Sequence, residues 1–116
     1  MDEEFGYEKL DVYQRSIEFL SHAYALVDCL PKGYSSLADQ LRRSSLSVPL
    51  NIAEATGKSS SAERKRFYQI AKGSALECSA IINCCITLNL ADNNRLLVAR
   101  SLTFRIVQML SKLVTR

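Results

Sequence analysis

Glycine and proline, the residues that interrupt helices, are scarce in this chain. They fall mostly between long stretches in which apolar residues recur every three or four positions. A chain of 116 residues built that way folds into helices joined by short loops, and one domain suits its length. No stretch alternates polar and apolar residues in the manner of a strand. The first helix is expected from about Asp11 to Cys29, ended by Pro31 and Gly33, with a core seam of Leu10, Tyr13, Ile17, Leu20, Tyr24 and Val27. The second is expected to start near Ser36, with Asp39 as a capping-box-like partner, and to bury Leu37, Leu41, Val48, Ile52 and Ala55. After a break at Gly57 and the serines 59–61, the third starts at Ser60 with Glu63 as its box partner. Its seam reads Phe67, Ile70, Ala71, Ser74, Cys78, Ile81, Cys85 and Leu88. A polar turn over 89–94, with Asp92 as N-cap, leads into a fourth helix carrying Ala99, Leu102, Ile106, Met109, Leu110 and Leu113. Short loops between long helices favour antiparallel neighbours. The expected fold is all-α, an antiparallel up-down-up-down four-helix bundle forming a single domain over 1–116.

Several function classes lack their residues. No apolar run approaches the ~20 residues of a membrane span. The acidic start Met1-Asp2-Glu3-Glu4 is no secretory signal, so the expected location is cytoplasmic. The cysteines Cys29, Cys78, Cys84 and Cys85 form no C-x-x-C pair, and His22 is the only histidine. A zinc site needs more, so the thiols are expected to be small buried apolar groups and His22 an ordinary surface residue. There is no Gly-rich phosphate loop, nucleophile elbow or H-E-x-x-H pair. Glu54 and Glu77 have no nucleophile, metal or cofactor set beside them. The expectation is therefore no catalytic residues, no metal, no cofactor and no small-molecule substrate.

The second helix has more faces than a surface helix needs. Gln40, Arg43, Ser47, Asn51, Glu54 and Lys58 form a polar stripe, and beyond it lies a second apolar patch, Leu46, Leu50 and Ala53. One apolar face suits the bundle; the other suits a second subunit. Pro49 sits mid-helix and frees the Ser45 carbonyl, for which Ser47 and Asn51 are candidate donors. The segment reads either as a structural joint or as a binding groove. In the structural reading, Arg43 pairs with Glu77 on the third helix and the pair holds the bundle together. On the fourth helix, Leu97 and Phe104 lie seven apart and off the seam, again suiting a subunit contact.

Net charge is +3, unevenly spread: residues 1–30 carry −5 and residues 91–116 carry +4. The densest basic cluster is Arg64-Lys65-Arg66, flanked by Lys58 and Lys72 with Tyr68 nearby. Consecutive helical residues point in different directions, so this is a collar around the helix start. It reads either as a phosphate-contacting surface for RNA or another nucleic acid, or as a solvated helix end.

The run Gln40-Leu41-Arg42-Arg43, then Ser47-Val48-Pro49-Leu50-Asn51-Ile52-Ala53-Glu54, resembles the bacterial 23S rRNA intervening-sequence proteins. So do Leu10-Asp11-Val12-Tyr13-Gln14 near the start and, downstream, Phe67, Ile70-Ala71-Lys72-Gly73-Ser74 and Glu77. The likeness spans nearly the whole chain. One departure is Ala55, where that family usually has Gly; Gly57 follows two residues on. The resemblance implies a four-helix bundle that assembles into ring-shaped homopentamers. It also implies contact with nucleic acid or a nucleic-acid-processing partner through basic surfaces, and no established enzymatic activity. The rival expectation is a structural or protein-interaction module that binds no nucleic acid.

Overall fold

The computed structural model describes residues 3–115; Met1 and Asp2 of the acidic start, and Arg116, lie outside the described residues. A short 3-10 turn, Gly6–Lys9, precedes four helices: α1 (Asp11–Cys29), α2 (Ser35–Thr56), α3 (Ser61–Thr87) and α4 (Asn93–Thr115). Each helix packs on its sequence neighbour, and α1 also packs on α4. The diagonal pairs, α1 with α3 and α2 with α4, do not approach within 8 Å between Cα atoms. Ser44 meets Cys78 while Ser47 meets Ser74, so α2 and α3 run antiparallel. Arg95 reaches Cys29 and Arg105 reaches Asp11, which sets α4 antiparallel to α1. The expected up-down-up-down bundle is the observed one. No described helix is long and apolar enough to cross a membrane.

Local chemistry sets the helix ends. The Ser60 hydroxyl accepts from the Glu63 N–H at 3.1 Å, and the Asp92 carboxylate accepts from the Arg95 N–H at 3.1 Å. Each satisfies a donor that a first helical turn leaves open. Gly33 turns the chain after α1 at φ +96°, a conformation other residues avoid, and Asn89 does the same after α3 at φ 53°. The expected Ser36/Asp39 box does not form. Here α2 starts at Ser35 with no side-chain cap, and Asp39 accepts from Arg42 at 2.8 Å instead.

The core follows the expected seam closely in α2, where Leu41, Val48, Ile52 and Ala55 are buried and Leu37 is half-buried. In α1 the seam is displaced by one residue. Val12, Ser16, Phe19, Ala23 and Leu26 face inward beside Val27, whereas Ile17 and Tyr24 are 42% and 40% exposed. The larger apolar stripe was the obvious seam by size. The bundle instead seats the stripe with the small Ser16 and Ala23, around the large Phe19. Ser16 can be buried because its hydroxyl donates to the Tyr13 carbonyl at 2.6 Å. A similar shift occurs in α3: Ala71, Cys78, Ile81 and Cys85 are inside as expected, but Ile70 and Leu88 are 41% and 53% exposed, and Tyr68, Ala75 and Ile82 face inward. In α4, Leu96, Ala99, Thr103, Ile106 and Leu110 are buried, with Leu102, Met109 and Leu113 packed beside them. The cysteines divide. Cys78 and Cys85 are core thiols, while Cys29 at the end of α1 and Cys84 on the outer side of α3 are exposed.

Candidate functional site

The polar stripe of α2 splits into a closed inner part and an open outer part. Asn51 donates through Nδ2 to the Ser47 carbonyl (2.8 Å) and hydroxyl (3.0 Å), and Ser74 of α3 donates to the Ser47 hydroxyl at 2.8 Å. Just inward, the Cys78 thiol donates to the Ser44 hydroxyl at 3.2 Å, and Ser44 donates to the Gln40 carbonyl at 2.8 Å. Of these, the Ser74–Ser47 and Cys78–Ser44 bonds join α2 to α3, both just ahead of the buried Val48 and Pro49. Helix α2 continues through Pro49 to Thr56, and Asn51 serves the Ser47 carbonyl rather than the one at Ser45. Burial pushes the Cys78 thiol pKa up to about 11, against a smaller lowering by the Ser44 hydrogen bond. A nucleophile or metal ligand needs the thiolate, which this site disfavours.

Gln40, Arg43 and Glu54 stand exposed on the outer part. The expected buried pair of Arg43 with Glu77 does not form: both side chains are exposed, and neither belongs to an ion pair among the described residues. At the surface water solvates both charges, so nothing forces them together. Glu54 pairs within its own helix with Lys58, at 3.3 Å. Among the described residues no cluster of His, Cys, Asp and Glu is placed to hold a metal.

Three members of the basic collar are engaged within the chain. Arg64 donates through Nη1 to the Lys58 and Ser59 carbonyls at 3.1 and 3.0 Å, clipping the α2–α3 turn. Lys58, besides its bond to Glu54, lies 4.9 Å over the Phe67 ring, and Arg66 lies 5.8 Å over the same ring. Lys65 and Lys72 are half-buried and form no ion pair among the described residues. Tyr68 is buried beneath the collar, and burial raises its phenol pKa despite the opposing charge of Arg64. It offers no stacking face to a base.

The expected subunit-contact residues lie on two opposite edges of the bundle. On α2, Ser44 and Ser47 mark the flank toward α3. Counting 100° per residue, Leu46 and Ala53 lie on the other flank, toward α1, and Leu50 points directly away from the core beside the polar stripe, lining a hollow with Ala53, Glu54, Gly57 and Lys58. On α1, Asp11 and Cys29 mark the flank toward α4, so Tyr13, Ile17, Leu20 and Tyr24 lie toward α2. One apolar strip therefore runs along the α1/α2 edge. Arg100 donates to Asn83 at 3.1 Å across α3 and α4. On the same outer edge Leu76 joins Leu97 and Phe104, which are all exposed. Leu76, Ser79, Thr103, Phe104 and Val107, with Arg100, line a mostly apolar hollow there. Ile17 and Tyr24 of α1 and Leu76 of α3 were not foreseen as outward groups. The surplus of apolar residues around α1 was their one signal in the sequence.

The charges divide along the same line. Residues 1–57, holding α1 and α2, carry nine acids and five bases, a net −4. Residues 58–116, holding α3 and α4, carry ten bases and three acids, a net +7.

A sequence model described as 23S rRNA-intervening sequence protein matches residues 8–112. No curated protein matches the chain. Among solved structures, the chain is similar to a crystal structure from Bacteroides thetaiotaomicron VPI-5482, described as a protein with unknown function from the S23 ribosomal protein family. The two are 21% identical, the likeness covers 90% of this chain and 99% of that one, and the TM-score is 0.83. At that identity the likeness speaks for the fold.

Proposed function

The chain belongs to the 23S rRNA-intervening sequence protein family, and from that premise we propose that it is a self-assembling bundle without a catalytic role, which builds a homo-oligomeric ring and contacts RNA through its basic surface. The observation that carries this reading is the pair of outward apolar strips on opposite edges, one on an acidic hairpin and one on a basic hairpin. Leu46, Leu50, Ala53, Leu97 and Phe104 serve as assembly residues, because a lone domain gains nothing by presenting them to water. A closing ring suits strips on opposite edges, since each copy then uses both; five copies is the number the family resemblance implies.

For RNA, the +7 half supplies the long-range attraction, and Lys58, Arg64, Lys65, Arg66 and Lys72 supply phosphate contacts. The test is retention of structured RNA at about 50 mM salt, where such contacts are strong. Lys58→Glu with Arg66→Glu should abolish most of it, and Arg66→Glu alone, at a site on the α2 flank of α3 away from both apolar strips, should weaken it while leaving assembly intact. Wild-type protein that retains no RNA at that salt removes the nucleic-acid half of the proposal. The second reading, a protein-interaction module only, draws support from the engagement of Arg64 and Lys58 within the chain.

A further inference from the structure

We propose that the hollow where α3 begins beside the end of α4 is a seat for a phosphate monoester, an assignment that rests on the basic collar as a phosphate-contacting surface and narrows it to one place. Ser61, Arg64, Lys65 and Tyr68 of α3, with Leu113 of α4, line a hollow of about 230 Å³. Spaced three and four apart, the α3 members share one face of its first turns. No carboxylate lines the hollow. Its volume is below the ~300–1,000 Å³ of pockets that enclose drug-sized ligands, so it suits a single group and not a whole nucleotide.

Tyr68 points to a ligand. It is only 9% exposed, yet its hydroxyl makes no hydrogen bond among the described residues. A buried hydroxyl is ordinarily paired. This one is not sealed in the core, because the one enclosed side-chain polar atom without a partner among the described residues is Arg15 Nε. The phenol therefore reaches open space, and the hollow it lines is that space. Other donors border the same place. The N–H groups of Ser61 and Ala62 open α3 without a partner, since the Ser60 hydroxyl takes only that of Glu63. They stand at the positive end of a 27-residue helix, where an anion is favoured. Lys65 is half-buried and in no ion pair among the described residues. Arg64 spends Nη1 on the Lys58 and Ser59 carbonyls, which fixes its guanidinium while Nε and Nη2 make no hydrogen bond among the described residues. Such a set calls for an acceptor with several charged oxygens. A monoester offers three non-ester oxygens and nearly two negative charges at pH 7. An internal phosphodiester offers fewer of both and carries chain on either side.

Tyr68→Phe tests the seat, because it deletes the hydroxyl and keeps the ring in the core. A hydroxyl with no partner in the chain adds little to folding, so the melting temperature should hold. A clearly lower melting temperature would give the hydroxyl a partner inside the chain and overturn the proposal. Two probes read the ligand: a short RNA labelled at its 3′ end, bearing either a 5′-phosphate or a 5′-hydroxyl and followed by anisotropy, and adenosine 5′-monophosphate followed by its phosphorus resonance. At about 150 mM salt, wild-type protein should bind the phosphorylated RNA about tenfold more tightly than the hydroxyl form, and Tyr68→Phe should lose most of that preference, as a hydrogen bond to a charged group implies. That preference assigns the seat to a nucleic-acid end. A shift of the adenosine 5′-monophosphate resonance that Tyr68→Phe abolishes, without a preference between the RNAs, assigns it to a free nucleotide. If the two RNAs bind equally and the resonance does not move, the seat is overturned and RNA contact through the collar stands. If neither RNA binds at about 50 mM salt while the resonance still shifts, the RNA reading falls and the seat stands; if nothing binds, both fall.

Discussion

The α2–α3 seam and the α1/α2 edge invert the usual order of a domain, in which polar groups stay out and apolar groups go in. The seam, with the α2 core beside it, buries Ser44, Ser45 and Cys78, whereas the edge exposes Ile17, Tyr24, Leu46 and Leu50. The seam tolerates its polar groups because each finds a partner close by: Ser44 donates to the Gln40 carbonyl, Ser45 to the Arg42 carbonyl, and Cys78 to Ser44. The edge has no such internal solution, and its apolar side chains gather on one side of the bundle where water is their only neighbour within the chain. The seam is closed within one chain, whereas the edge is the surface on which the proposed assembly rests.

The largest expected effect lies on the inner side of α2. Ile52→Ala, at a fully buried position, should lower unfolding free energy by about 2–5 kcal/mol. Leu50→Ala, two residues away, should change it by less than about 0.5 kcal/mol once Phe104→Asp has removed assembly. Urea unfolding of both in that background makes the comparison, and equal losses would erase the distinction between seam and edge.

A pH titration probes the seam next. Burial holds the Cys78 proton to about pH 11 in the folded chain, against an ordinary value of 9.0. A raised folded pKa means that this contribution is complete below pH 9 and is lost as pH climbs from 9 toward 11, because the unfolded chain releases its proton first. Wild-type stability should therefore fall more steeply over that window than that of Cys78→Ala. Parallel curves would place Cys78 in a wetter site than the structure does. At pH 8, alkylation should reach the exposed Cys29 and Cys84 well before Cys78 and Cys85.

Smaller effects separate the two parts of the polar stripe. Ser74→Ala removes the hydrogen bond to Ser47 and should cost about 0.5–1.5 kcal/mol. Arg43→Ala removes an exposed side chain with no ion pair among the described residues and should change stability by no more than about 0.5 kcal/mol. Thermal melts of the two should differ in that order. A large loss from Arg43→Ala would restore the buried pair with Glu77 that the sequence suggested.

Much of the fold was legible because helix period, breakers and caps are local signals. Ser60 and Asp92 act as the caps their positions suggested. Facing was harder to read. In α1, Tyr13, Ile17, Leu20 and Tyr24 make a better apolar stripe than the one the bundle buries, since periodicity weighs size and does not know which neighbour lies over it. Ser16 and Ala23 look like surface residues until Phe19 is placed between them. Glu77 looked buried because Ile70 and Leu88 looked buried; both are outward, and the need for an Arg43 partner vanished with them. The second apolar patch of α2 was readable because a polar stripe separates it from the first. The outward Ile17 and Tyr24 that join it on the same side were not, since their facing is set only once the neighbouring helices are placed.

The most direct measurement is the mass of nucleic-acid-free wild-type protein by light scattering at micromolar concentration. Outward strips that are assembly surfaces predict one species at a whole-number multiple of 13.0 kDa, at least three-fold as a closed ring requires. A single species at 13.0 kDa would leave the exposed edges without a partner and contradict the claim that they are built for one.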